Sequence, residues 1–129
     1  MNNHASREDY LETILILKNK MPLVRAIDVA TDMNYSKPSV SIALKKLKDK
    51  GLITVCQSTG NIEFTPAGYS IASSVLEKHQ VISSILISLG VSKETALIDA
   101  CKLEHDLSEE SFQKLKSYYH NNLNNKTQN

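Results

Sequence analysis

Apolar residues recur at helical spacing from near the start of the chain. Tyr10, Ile14 and Leu17, with Leu11, Leu15 and Ile16 widening the face, predict an amphipathic helix over about residues 6–20. Ser6 stands at its N-cap with Asp9 three residues on, and Pro22 bars its extension. Ile27, Val29 and Ala30 mark a short second helix over about 25–31, followed by a break containing Asn34, which tolerates left-handed backbone. A third helix over 36–50 is predicted from Ser36 as cap, Pro38 in the first turn and Gly51 just past the end. Val40, Ala43, Leu44 and Leu47 share one face of that helix, while Lys37, Ser41, Lys45 and Lys48 share the other.

The period then changes from helical to alternating. Ile53 and Val55 flank Thr54 within 52–56, and Ile62 and Phe64 flank Glu63 within 61–65. With Gln57-Ser58-Thr59-Gly60 between them, these segments predict a hairpin. Thr65-Pro66 restarts a helix, which Ala72, Val75, Leu76, His79, Ile82 and Leu86 carry to about Leu89, with Gly90 as its stop. Ser92 and Ser108 are expected to cap two further helices, the first with a stripe of Leu97, Ala100, Leu103 and Leu107, the second with Phe112, Leu115 and Tyr119. Three helices and a hairpin in this order predict a mostly α chain: an N-terminal winged helix-turn-helix over 1–70, an all-α domain over 71–122, and a flexible, asparagine-rich tail over 123–129.

Composition narrows the class. The 129 residues are 41% hydrophobic and 22% charged, enough to build a core without disulfide staples. Cys56 and Cys101 make no disulfide framework. The start of the chain is short and polar with no apolar signal region, and no apolar run is long enough to cross a bilayer, so a cytoplasmic protein without membrane partners is expected. The net charge of +1 hides a basic stripe: Lys37, Lys45, Lys46, Lys48 and Lys50 lie within 35–50 against Asp49 alone, whereas 92–110 is acidic. A focused basic helix behind a short helix and tight turn, with a hairpin after it, suits the major groove of double-stranded DNA. Small hydroxyl residues Ser39 and Ser41 allow close backbone approach to base edges, and the lysines can neutralise phosphates. A solvated lysine face on an ordinary surface helix is the plain alternative.

Chemistry concentrates elsewhere. Cys101, Glu104 and His105 stand at i, i+3 and i+4, so one helical face is expected to offer thiolate, carboxylate and imidazole within a single turn. Asp9 and Glu12 form a second i, i+3 pair, and His79 falls on an otherwise apolar stripe. Singly, each has an ordinary explanation: Asp9 serving the helix dipole, Glu12 a solvated charge, His79 a satisfied core histidine, Cys101 a small hydrophobe. Jointly, carboxylates and imidazoles from three helices point to a divalent transition metal that offsets the carboxylate charge. Oxygen and nitrogen donors suit Mn(II) or Fe(II), and a thiolate shifts preference toward Fe(II), Co(II) or Zn(II). No general base, oxyanion hole or phosphate-binding glycine loop accompanies the set, so no enzyme is expected. A metal-independent winged-helix transcription regulator is the competing reading.

Glu8-Asp9-Tyr10-Leu11-Glu12, Ser36-Lys37-Pro38-Ser39-Val40-Ser41, Thr65-Pro66-Ala67-Gly68, Lys78-His79 and the run Cys101 to Ser108 together resemble the diphtheria toxin repressor and manganese transport regulator family of metal-dependent repressors. The resemblance implies a homodimer whose winged helices read a palindromic operator and whose C-terminal helices form the dimer interface. It also implies metal as co-repressor and control of metal-uptake genes. By motif position it implies Asp9, Glu12, His79, Cys101, Glu104 and His105 as metal ligands. The acid at position 9 resembles the manganese branch and Cys101 the iron branch; Ser83 and Leu97 stand where iron-type members carry additional ligands. Arg25, Ser36, Lys37, Pro38, Ser39, Ser41, Lys45 and Lys48 are the expected DNA contacts, and Mn(II) or Fe(II) the expected ion, with Co(II) or Zn(II) as substitutes in vitro.

Overall fold

The computed structural model describes residues 6–124 and divides into two compact units, 1–74 and 75–129. Six α-helices and one two-stranded antiparallel sheet are present among the described residues. The predicted mostly α architecture, a winged helix-turn-helix followed by a helical unit, is what the chain adopts.

In the first unit, α1 (Arg7–Lys18) starts in a capping box: the Asp9 backbone N–H donates to Ser6 Oγ at 3.1 Å and the Ser6 N–H to Asp9 Oδ2 at 2.9 Å. The helix stops at Lys18, short of the expected end, because Lys20 and Met21 both turn back onto the Leu17 carbonyl before Pro22 is reached. α2 (Ala26–Met33) ends on Asn34 at φ 58°, the left-handed residue that reverses the chain into α3 (Lys37–Asp49). Val40, Leu44 and Leu47 of α3 are buried, as their shared face requires. With Leu11, Ile14, Val24, Val29, Ile53 and Ile62 they make the core of this unit.

The wing is β1 (Ile53–Val55) paired with β2 (Ile62–Phe64), in the register Ile53 to Phe64, Thr54 to Glu63 and Val55 to Ile62. Lys18 fastens it to α1, donating to the Ile62 carbonyl at 2.7 Å and lying 3.0 Å from Glu63 Oε1. That lysine, and then the Asn61 amide, hold the Glu63 carboxyl below its ordinary value. Thr65 returns the chain: its hydroxyl donates to the Gly51 carbonyl and accepts from the Gly68 N–H, opening α4 (Pro66–Ser88).

The second unit holds the later turns of α4, α5 (Lys93–Leu103), α6 (Glu109–Tyr118) and a π-helical turn over Tyr119–Asn124. Ser92 and Ser108 cap as expected, accepting from Thr95 and Ser111 backbone N–H groups at 3.3 and 3.1 Å. One core cluster here is Val81, Ile85 and Phe112, with Leu115, Tyr119 and Leu123 packed against it; Val75, Ile82, Ala96 and Ala100 are buried as well. Lys78 lies 5.7 Å above the Phe112 ring and Lys116 pairs with Glu77 at 3.1 Å, both tying α6 to α4. Of the tail predicted over 123–129, Leu123 and Asn124 belong to the π-helical turn, and 125–129 lie outside the described residues.

Candidate metal centre and nucleic-acid face

Two imidazoles of the second unit converge on Glu104. Its side chain has 0% exposure, and neither carboxylate oxygen accepts a hydrogen bond among the described residues. His79 Nδ1, from α4, approaches Oε2 at 3.3 Å, and His105 Nε2 approaches Oε1 at 3.5 Å. Each oxygen thus faces an imidazole nitrogen beyond the distance of a good hydrogen bond. A carboxylate held dry in this way is costly unless a positive charge offsets it.

The expectation that Cys101, Glu104 and His105 share one helical face is corrected. α5 ends at Leu103, one residue before the carboxylate. Glu104 is its C-cap, donating its N–H to the Ala100 carbonyl, and His105 lies in the turn beyond, where Asp106 and Leu107 fold back onto the Leu103 carbonyl. Leu107 therefore falls outside the apolar stripe of α5. Glu104 is buried while Cys101, a turn earlier, is exposed. The structure brings together His79, Glu104 and His105 in the second unit.

In the first unit, Asp9 is half-buried and occupied in the capping box, while Glu12 is buried, 8% exposed. Ser83, on α4, is buried and donates to the Gln80 carbonyl. Leu97 is exposed at 39%.

The opposite chemistry covers α3. Ser36, Lys37, Pro38, Ser39, Ser41, Lys45 and Lys48 are all exposed, as is Arg25 ahead of α2. The Ser36 hydroxyl caps the helix, accepting from the Ser39 N–H at 3.3 Å and donating to Ser39 Oγ at 2.9 Å. Lys45 and Asp49 stand 3.9 Å apart, both exposed, so that pair adds little.

Sequence models place this chemistry in a family. Residues 4–60 match the model described as iron dependent repressor, N-terminal DNA binding domain, and residues 65–126 match iron dependent repressor, metal binding and dimerisation domain. An HTH-type transcriptional regulator of Methanocaldococcus jannaschii is 36% identical over 115 residues, 88% of this chain and 91% of that protein. The chain belongs to the iron-dependent repressor family. The transcriptional regulator MntR of Escherichia coli is 36% identical over 104 residues, 81% of this chain but 66% of that protein's length. The solved manganese regulator SloR superposes with a TM-score of 0.79 at 27% identity, covering 91% of this chain and 54% of that one. The chain therefore spans about half to two-thirds of these longer relatives.

Two lysines counted in the basic stripe were not among the expected DNA contacts. Lys46 and Lys50 line a groove of about 1020 Å³ with Ser6, Arg7, Tyr35, Ser36, Ser39 and Ile42. The signal was available in the lysine run, but a strict one-face reading of α3 assigned the groove side to neither core nor DNA. Ile42, 59% exposed on a basic helix, breaks the apolar pattern and could have been found on that ground.

Proposed function

We propose that this chain is a metal-dependent, DNA-binding transcriptional repressor that acts in the cytoplasm as a homodimer on a palindromic operator, controlling metal-uptake genes. The observation that carries the metal-dependent part is the Glu104 carboxylate, fully buried between two imidazoles. A divalent cation, when bound, supplies the positive charge that this carboxylate otherwise lacks. His79, Glu104 and His105 would hold it through nitrogen and oxygen donors, with Asp9, Glu12 and Cys101 as further ligands by motif position. Oxygen and nitrogen donors favour Mn(II) or Fe(II), and the similarity to MntR and to the manganese regulator SloR supports Mn(II) first.

On DNA, α3 carries the reading. Ser39 and Ser41, near its N-terminus, are small enough for base edges to approach; Lys37, Lys45 and Lys48 meet phosphates. Ser36 and Pro38 set the start of the helix, and Arg25 adds a cation from the segment before α2. Ligation would select one separation of the paired recognition helices, matched to half-sites about one DNA turn apart.

Glu104→Gln keeps the shape and removes the charge. Its Mn(II) affinity, measured by titration calorimetry, is expected to fall by more than the roughly 10–100-fold typical of outer-shell partners, while circular dichroism stays that of the unsubstituted chain. Metal-stimulated binding to a DNA duplex selected from a randomised pool is expected to disappear with it. Binding that is unchanged by a chelator in the unsubstituted protein would overturn the metal-dependent reading.

A further inference from the structure

The polar face of α3 carries one residue that its neighbours do not explain. Val40 and Leu44 are buried, and Ile42 stands two residues from each, about 200° round a helix of 3.6 residues per turn. It therefore points away from the core of the first unit. Its exposure is 59%, more than that of Leu23, Ile27 or Tyr69, the other large apolar residues exposed among the described residues of that unit. The helix itself has no use for isoleucine there, since a β-branched side chain loses rotamer freedom and gains no burial in exchange.

The surroundings of Ile42 indicate what it meets. Pro38 and Ser39 lie one turn before it, Ser41 beside it, and Lys45 and Lys46 one turn after it, all of them exposed. The serines are short, so the isoleucine reaches past them. Small residues on its N-terminal side leave room for base edges, and the lysines on its C-terminal side meet phosphates, which puts an apolar side chain between them against the bases. Guanine, adenine and cytosine present hydrogen-bond donors and acceptors in the major groove, and isoleucine covers these without pairing them. Thymine presents a C5 methyl there, which an apolar side chain matches.

We propose that Ile42 is a specificity-determining residue that packs on a thymine methyl in the major groove, selecting thymine over cytosine at one position of each half-site. This rests on the DNA-binding reading above and adds to it the identity of a base. The contact carries no charge, so it contributes to sequence preference and leaves the electrostatic part of binding to the lysines.

The test uses the full chain, loaded with Mn(II), and a labelled duplex that the unsubstituted protein selects from a randomised pool. Each thymine in turn is replaced by deoxyuridine, which removes the methyl and keeps every hydrogen-bonding group. At one thymine of each half-site the replacement is expected to weaken binding about fourfold, the weight of one buried carbon group. Ile42→Ala is expected to bind the two duplexes equally, and Ile42→Val, which keeps the branched apolar shape, to retain most of the discrimination. The slope of log affinity against log salt is expected to be unchanged in Ile42→Ala, because no phosphate contact is lost. Alanine suits an exposed helical position, and circular dichroism checks that the variant is folded. Indifference of the unsubstituted protein to deoxyuridine at every position, full discrimination in Ile42→Ala, or a salt slope lowered by that substitution would overturn the proposal alone. Failure of the unsubstituted protein to select any duplex would overturn the DNA-binding reading and this proposal with it.

Discussion

Glu104 and Cys56 are opposite cases of an ionisable side chain. Glu104 is fully buried, and its charge counts against the fold whenever no cation is present. Glu104→Gln should therefore raise the stability of the metal-free protein, by about 1–3 kcal/mol in urea unfolding, while abolishing the stabilisation by Mn(II) that the proposed function leads one to expect of the unsubstituted chain. A loss of metal-free stability would mean that the two imidazoles already compensate the charge. Cys56 is exposed at the wing turn, yet its thiol is pulled from an ordinary 9.0 to about 6, first by the Ser58 hydroxyl at 3.3 Å, then by Thr59 and the backbone N–H groups of both. Because the folded value is depressed, the small stabilisation it gives is complete above about 9 and is lost as pH falls through about 6. Alkylation of Cys56 by iodoacetamide, followed peptide by peptide to separate it from Cys101, should turn on with a midpoint near pH 6, and Ser58→Ala should move that midpoint upward. A midpoint near the ordinary thiol value in the unsubstituted chain would remove the effect.

At the level of elements, what local chemistry controls was readable and what packing controls was not. Ser6, Ser36, Ser92 and Ser108 all cap where expected because a hydroxyl beside three free N–H groups has little competition. The end of α5 was misread because nothing local stops a helix at Leu103; Glu104 and His105 continue the spacing while the chain leaves it. The same holds for α4. Ala72, Val75 and Ile82 of the predicted stripe are buried, but Val81 and Ile85, which meet Phe112, were not in it, since a helix packed on more than one side has no single apolar face. The candidate site was legible as residue types at helical spacing. Its burial was not, because 0% exposure of a glutamate comes from tertiary packing alone. Gly68 marks one such packing constraint: a Cβ there would run into the Leu52 backbone carbonyl where α4 meets the start of the wing. Gly68→Ala should cost about 3 kcal/mol or more in urea unfolding, the high end of overpacking, whereas Gly51→Ala meets no neighbour and should cost only the strain of its φ of 73°. Equal costs at the two sites would refute the close approach.

For the whole molecule, the second unit displays apolar surface that a lone chain has no reason to keep. Ile87 and Leu89 at the end of α4, and Leu97, Ile98 and Leu103 on α5, are all exposed, with Leu89 at 72% and Ile98 at 58%. Such an accumulation of exposed apolar side chains on one unit is the composition of an interface. In a twofold dimer one substitution is repeated on both copies, so a single charge acts twice. Ile98→Asp, at an exposed position of α5, should leave each subunit folded and raise the dimer dissociation constant by about 100-fold, near 2.7 kcal/mol, in sedimentation measurements. The consequence for DNA separates this from a local defect. Once dimers are lost, affinity for a palindromic duplex should fall to that for a single half-site, with the salt slope roughly halved because half the phosphates are met. Mn(II) affinity of the His79, Glu104 and His105 trio should change much less, since those three residues come from one subunit. An Ile98→Asp protein that remains dimeric, or that loses metal and dimer together, would show that this face does not join the two copies in the way proposed.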